Sequence, residues 1–420
     1  MERVPFDKIV YGFYCAGIVI VGGGFVLYTG GGDLRVARDA AASSLVSQLV
    51  LGLFYITSSL LLVSHQDFRR VLKSVWPILL LPALAILSYS WSADPDLTAR
   101  RAIAFAGTIF FGLSLGWAYQ LRDGLVLVGR TLAIVMLACV SLTIIDPAMA
   151  IHQSYEAIQA VHAGSWRGIF AHRNTLGLWS ATTFIMLFTI GRREFGGTIT
   201  WITGLGLATT CLVMSGSSAG IALVALCLGV YVQVSVTRRQ PKSLRGGVLL
   251  LWLLLLLLVV LLWGEITRLS LDLLGRTSDL SGRTYLWTYL LDLVQPAEWP
   301  LGLGYFSGTV ALDQRISSAT QIRNVNAHNG FLEAFVYFGW LGLIVALSLI
   351  SWVFYYTGRL AFGTWIQNDH FAVLPLVLTL LVGAHNIVES TLVSANNLDN
   401  VVLSAVVAMT ARAMQSPLQA

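Results

Sequence analysis

Runs of about twenty apolar residues recur along the whole chain, the length a helix needs to cross the roughly 30 Å core of a bilayer. Spans are expected near 8–28, 43–64, 74–90, 102–120, 124–144, 174–190, 198–214, 217–236, 247–264, 329–356, 371–389 and 398–411, about a dozen in all. Helix is the expected form, because an open sheet cannot satisfy its backbone groups in lipid. Only Ser215 to Ser218 separate the pair around 198–236, which predicts a tight helical hairpin. The fold class expected is an all-α polytopic membrane protein, with one integral membrane domain over residues 1–420.

Composition points the same way. The chain is 56% hydrophobic and only 11% charged, with mean hydropathy +0.75. Soluble proteins carry roughly 25% charged residues, so most of this chain must take lipid as its solvent. The net charge of +5 is modest, and no basic run with interleaved aromatics is present, which sets nucleic acid aside as a partner. Cys15, Cys139, Cys211 and Cys227 all fall in apolar stretches without metal-ligand spacing, and read as small buried hydrophobes. The first apolar run follows Lys8 with no A-x-A-like site, so it reads as a span and not as a cleaved signal.

Basic residues give the orientation. With the N-terminus inside, the inner loops hold Arg69, Arg70, Lys73, Arg122, Arg192, Arg193, Arg238, Arg239, Lys242 and Arg245. Leaving aside 265–327, fifteen lysines and arginines fall inside and six outside, the bias that sets topology. Both termini are then expected in the cytoplasm of a bacterium, with the protein in its inner membrane. The outer face carries two longer loops, 145–173 and 265–327, the second between the ninth and tenth spans. Loops this long are usually functional or disordered. In the second, Leu286, Tyr289, Leu290 and Leu293 recur at helical spacing and Pro296 marks a stop. An amphipathic helix over about 281–294, lying on the outer membrane surface, is expected.

The spans themselves hold little charge, whereas the outer helix ends and loops hold Arg100, Arg101, Arg167, His172, Arg173, Arg268, Arg276, Arg283, Arg315, Arg323 and His328. Every lysine is inside and every outer cation of this kind is an arginine, the side chain suited to bidentate anion recognition. The plainer alternative is snorkelling and pairing with nearby carboxylates. His328 and Asn329 sit where the second long loop enters a span, and Glu333 follows one helical turn later. Glu333 is costly there unless it faces a polar cavity or a partner. The histidine is either a base near neutral pH or a cap for the helix start. Arg167, His172, Arg173 and Asn174 precede another span, at a helix N-terminus that favours anions. His385, Asn386 and Glu389 end the eleventh span and read as structural. GLGYFSG (302–308) follows no strand and is no dinucleotide fingerprint, while VGGGF (21–25) suits close helix packing.

The motifs SADPDLTARRA (92–102), RGIFAHRNTLG (167–177), SGRTYLW (281–287), PLGLGYFSG (300–308), AHNGFLEAFVYFGWLGL (327–343) and HNIVESTLVSANN (385–397) occur in that order. Together they resemble the bacterial O-antigen ligase/polymerase superfamily (WaaL, Wzy and ExoQ-like proteins), over about residues 80–410. The resemblance implies a glycosyltransferase of the GT-C type, acting on an oligosaccharide carried by undecaprenyl diphosphate at the outer face of the inner membrane. Ligases pass the glycan to lipid A-core; polymerases pass it to another lipid-linked repeat unit. The resemblance also makes His328 the essential histidine, and Arg283, with Arg276 two turns earlier, the arginines of the outer loop that hold the diphosphate. Arg173, Arg167, His172, Asn329 and Glu333 complete the expected substrate-binding set.

One departure stands out. Many ligases carry an arginine in the serine-rich turn of the tight hairpin, where this chain reads MSGSSAG (214–220). Arg173 or another outer arginine must then take that role, or the protein is not a ligase. The HNIVES and RGIFAHRN segments are more similar to the exopolysaccharide-polymerase branch, so a polymerase is expected. No metal or other cofactor is expected. Membrane lipid, a polysaccharide co-polymerase and a lipid A-core acceptor are the other candidate partners. A transporter or flippase is the rival reading, but its charges would lie near the midplane, and no inverted repeat is visible.

Overall fold

The computed structural model describes residues 4–24, 45–156, 160–241, 243–248, 250, 252, 280–319, 327–363 and 370–415. The helices are α1 (Val4–Val21), α2 (Leu45–Val63), α3 (Phe68–Val75), α4 (Leu80–Leu87), α5 (Pro95–Ala118), α6 (Leu121–Ile145) and α7 (Arg173–Ile190). They continue as α8 (Thr198–Ser215), α9 (Ser218–Arg239), α10 (Leu280–Leu293), α11 (Ser307–Ala319), α12 (Gly330–Phe362), α13 (Leu374–Val388) and α14 (Leu398–Gln415). There is no strand among the described residues. The protein is an all-helical, polytopic membrane protein.

Eight segments among the described residues are long and apolar enough to cross a membrane: α2, the broken run Phe68–Ser90, α5, α6, α8, α9, α12, and His370–Val388 with α13. Helices α1, α7 and α14 occupy three more of the expected spans. The expected span 247–264 lies almost wholly outside the described residues. Pro77 and Pro82 explain why the run 68–90 is two helices joined by a 3-10 turn. The glycines of 22–24 follow the end of α1 and form a turn, not part of a span.

Helix α14 is the innermost element: every residue from Leu398 to Ala411 is buried. It packs closely along α5, where Gly112 and Gly116 face it one turn apart. A Cβ at Gly116 would lie 2.2 Å from the Ala405 carbonyl, so the two backbones meet as in a small-residue membrane interface. Burial on all sides lets α14 carry Asp399, Asn400, Ser404 and Thr410 within the bundle.

Helix α12 breaks at Gly339, whose φ of 63° and ψ of −154° lie outside helical space. The break exposes backbone polar groups that lipid cannot satisfy. Residues 299–304 fill it: Leu303 N donates to Val336 O at 3.0 Å, Gly304 N to Tyr337 O at 3.0 Å, and Trp340 N to Trp299 O at 2.7 Å. Only glycine fits, because a Cβ at 339 would lie 2.1 Å from the Trp299 carbonyl. The glycine-rich 300–308 motif therefore repairs a broken helix. The short first half of α12, from Gly330 to Phe338, is set at its own angle and carries Glu333 and Tyr337.

Candidate functional site

The site forms around the turn Ala327–His328–Asn329. Asn329 caps α12, its Oδ1 accepting from the N–H groups of Phe331 and Leu332 at 3.0 Å each. That disposes of capping as the role of His328. His328 instead adopts a left-handed φ of 47° and turns its Nδ1 to Glu389 Oε2, 3.0 Å away. The other oxygen of Glu389 accepts from Asn174 Nδ2 at 2.8 Å. With Glu389 ionised, Nδ1 carries the imidazole proton and the basic lone pair lies on Nε2. The imidazole is one-third exposed and Glu389 is 16% exposed, so the pair opens to the outside on the histidine's side.

A folded segment after α13 fixes Glu389. Asn386 Oδ1 accepts from Thr391 N and Leu392 N, and Asn400 Nδ2 donates to the carbonyls of Thr391, Leu392 and Ser394. His385 Nδ1 lies 2.7 Å from Asp399 Oδ2, which also accepts from Thr391 Oγ1. His385 and Asn386 are thus structural, as their sequence context suggests, while Glu389 reaches the site. Nothing local to the HNIVES segment signals this, because the partner histidine is 61 residues away. Ser390 Oγ accepts from Asn329 N at 2.9 Å, and Asn329 Nδ2 donates to Ile387 O at 3.2 Å. Glu333, one turn into α12 and 7% exposed, faces Ser390, Glu389 and Tyr337.

The start of α7 makes the second wall. His172 is its N-cap, with Nδ1 accepting from Asn174 N at 3.1 Å, and His152 Nε2 accepts from Arg173 N at 3.3 Å. The rings of His152, His162 and His172 lie 5.3–5.9 Å apart. Burial, with His152 and His162 nearby, pushes the His172 pKa down to about 3, against the pull of Glu389. Burial also lowers that of His152, although its contact with Glu156 opposes the shift. Both imidazoles are therefore neutral and act as acceptors. Arg173 Nη1 donates to Gly216 O at 3.0 Å, which places this guanidinium at the hairpin turn whose own sequence lacks a basic residue. Arg167 lies apart from the His328 group. It is 3% exposed, its Nη1 lies 2.8 Å from Glu156 Oε1, and its Nε donates to Met149 O.

The third side comes from α5, α10 and the loop at 299–306. Arg283 lies on α10, and its side chain falls outside the described residues, as does Arg276 entirely. Arg101 has its guanidinium 4.1 Å from the Phe306 ring centroid, with Tyr305 and Tyr337 within electrostatic reach. Arg100 and Arg315, in contrast, bind the Asp96 carbonyl and the Glu298 carboxylate. An internal acceptor separates these arginines from Arg101, a distinction that a string of letters does not carry.

The arrangement joins the hydrogen-bonded Asn174, Glu389 and His328 to the buried Glu333, with Arg173 at the start of α7 and Arg101 on α5. Residues 203–347, which include the hairpin turn and the His328–Glu333 segment, match the family model described as O-antigen ligase. A curated relative, the exopolysaccharide production protein ExoQ of Rhizobium meliloti (strain 1021), is 26% identical over 324 residues, covering 69% of this chain and 67% of that protein. Both matches point to similarity with the O-antigen ligase/polymerase superfamily.

Proposed function

We propose that this protein is a polysaccharide polymerase, moving a glycan from undecaprenyl diphosphate to another lipid-linked repeat unit at the periplasmic face of the inner membrane. The observation that carries this reading is the Asn174–Glu389–His328 relay, which holds Nε2 of His328 as a base. Nε2 takes the proton of the acceptor hydroxyl as its oxygen bonds to the anomeric carbon. The bond from that carbon to the diphosphate breaks with inversion, and its electron pair leaves with undecaprenyl diphosphate. Glu389 offsets the charge of the imidazolium formed. Negative charge grows on the departing diphosphate, where guanidinium groups stabilise it. Arg283, Arg276, Arg173 and Arg101 are the proposed cations, Asn329 and Glu333 line the glycan side, and His172 and Arg167 support the α7 wall.

The lysine and arginine bias supports a periplasmic site with both termini in the cytoplasm. A relative named for exopolysaccharide production favours polymerase over ligase, while the family description keeps transfer to lipid A-core as the second reading. The test is the purified protein in lipid, given an undecaprenyl-diphosphate-linked repeat unit with and without lipid A-core, beside His328→Ala. A glycan ladder without lipid A-core that vanishes in the variant supports the polymerase. Product only with lipid A-core makes it a ligase, and an unaffected variant removes His328 from the chemistry.

A further inference from the structure

His328 holds a backbone conformation that a non-glycine residue rarely adopts, φ 47°. Such a conformation persists only where its surroundings over-determine it. Two peptide planes flank the residue, and rotating about φ or ψ turns one or the other. The plane after His328 contains the Asn329 N–H, which donates to Ser390 Oγ at 2.9 Å, so Ser390 fixes ψ. The plane before it contains the Ala327 carbonyl. That oxygen accepts from the indole Nε1–H of Trp287, at 2.8 Å across 40 residues of sequence. Trp287 therefore fixes φ.

These two tethers have different origins. Ser390 belongs to the hydrogen-bonded segment that also anchors Glu389, and is part of the bundle. Trp287 belongs to α10, the helix of the long loop, where Leu290 and, just past the helix end, Val294 are buried. One turn before Trp287 on that helix stands Arg283.

We propose that Trp287 is a positioning residue for the base, acting through the Ala327 carbonyl, so that His328 points at the acceptor only while α10 is seated. The inference rests on the reading of His328 as the base. Trp287 touches neither reacting atom in this account. Its effect is on turnover and not on affinity, since a small misplacement of a catalytic group can cost on the order of 100-fold in rate.

The experiment uses the full chain in lipid, with kcat and KM measured for the lipid-linked repeat unit. Two variants remove the donor: Trp287→Phe, and replacement of Trp287 by benzothienylalanine, which keeps the indole shape and puts sulfur in place of N–H. The expected result is a fall in kcat of roughly tenfold or more with KM unchanged, and no further loss when Trp287→Phe is added to His328→Ala. If Trp287→Phe disturbs folding, the isosteric replacement decides. Wild-type kcat in that variant overturns the proposal, as does a raised KM at unchanged kcat or a full additional loss in the His328→Ala background. His328→Ala measured alone separates the two levels: if it stays active, the reading of the base has failed and this inference falls with it.

Discussion

His328 and Glu389 stand 61 residues apart in the chain, yet Nδ1 of one lies 3.0 Å from Oε2 of the other. A carboxylate so placed selects the tautomer and steadies the ring, the two roles that the buried aspartate has in a Ser-His-Asp triad. Glu389→Gln preserves the shape but offers a neutral amide that can face either way. Turnover should fall by roughly 100-fold with little change in KM, within the range general-base catalysis contributes. Asn174→Ala, which removes only the far end of the relay, should cost less, about three- to tenfold. Steady-state kinetics on the two variants checks the order, and equal losses would place Asn174 in direct contact with substrate.

Arg101 rests on the Phe306 ring and, among the described residues, has no hydrogen-bond or carboxylate partner. A guanidinium so placed is ready for an outside anion. Arg101→Ala should raise the KM for the lipid diphosphate by roughly tenfold, the loss of one charge-assisted hydrogen bond. Arg101→Lys should recover only part, because the planar stacking contact is gone. Titrating the donor against both variants is the measurement, and a change in kcat alone would contradict it.

Acid should loosen the α7 wall. In the unfolded chain a histidine takes its proton near pH 6.5, while His172 in place resists it down to about 3. The unfolded state therefore binds more protons between these values, and stability falls as pH drops through that window. His172→Asn keeps a good N-cap without the titrating ring. It should melt like the wild type at pH 7.5 and lose less on acidification to pH 4.5, as followed by thermal unfolding in detergent. A parallel acid loss in both proteins would move the effect elsewhere.

Gly339→Ala puts a methyl into the Trp299 carbonyl and a side chain at φ 63°. Strain alone is about 1–3 kcal/mol, and the clash adds to it. The variant should lose most of its monodisperse yield in detergent, whereas Gly358→Ala, in open space on the same helix, should not. Size-exclusion profiles of the two compare them directly.

Hydropathy alone marks out most of the helices, because span length is a local property. The proline that follows α10, Pro296, is a local signal of the same kind. What escaped reading depends on distant partners. The break at Gly339 looks like an ordinary glycine in an apolar run until residues 299–304 are laid against it. Glu389 looks like the end of a span until α12 and α7 bring His328 and Asn174 to its two oxygens. Arg167 and Arg101 are the same letter, and only burial beside Glu156 or over Phe306 tells them apart.

The insertion of residues 299–304 into the break of α12 also has a consequence for biogenesis. The loop precedes α12 in the chain, so it leaves the ribosome before the helix whose gap it must fill. The N–H groups of Leu303 and Gly304 have no carbonyl to meet until Val336 and Tyr337 have been threaded, and the Trp299 carbonyl has no donor until Trp340 has followed. The ladder must close after membrane insertion, as a late assembly step, and the His328 turn, which opens the same broken helix, settles into its final posture no earlier than that.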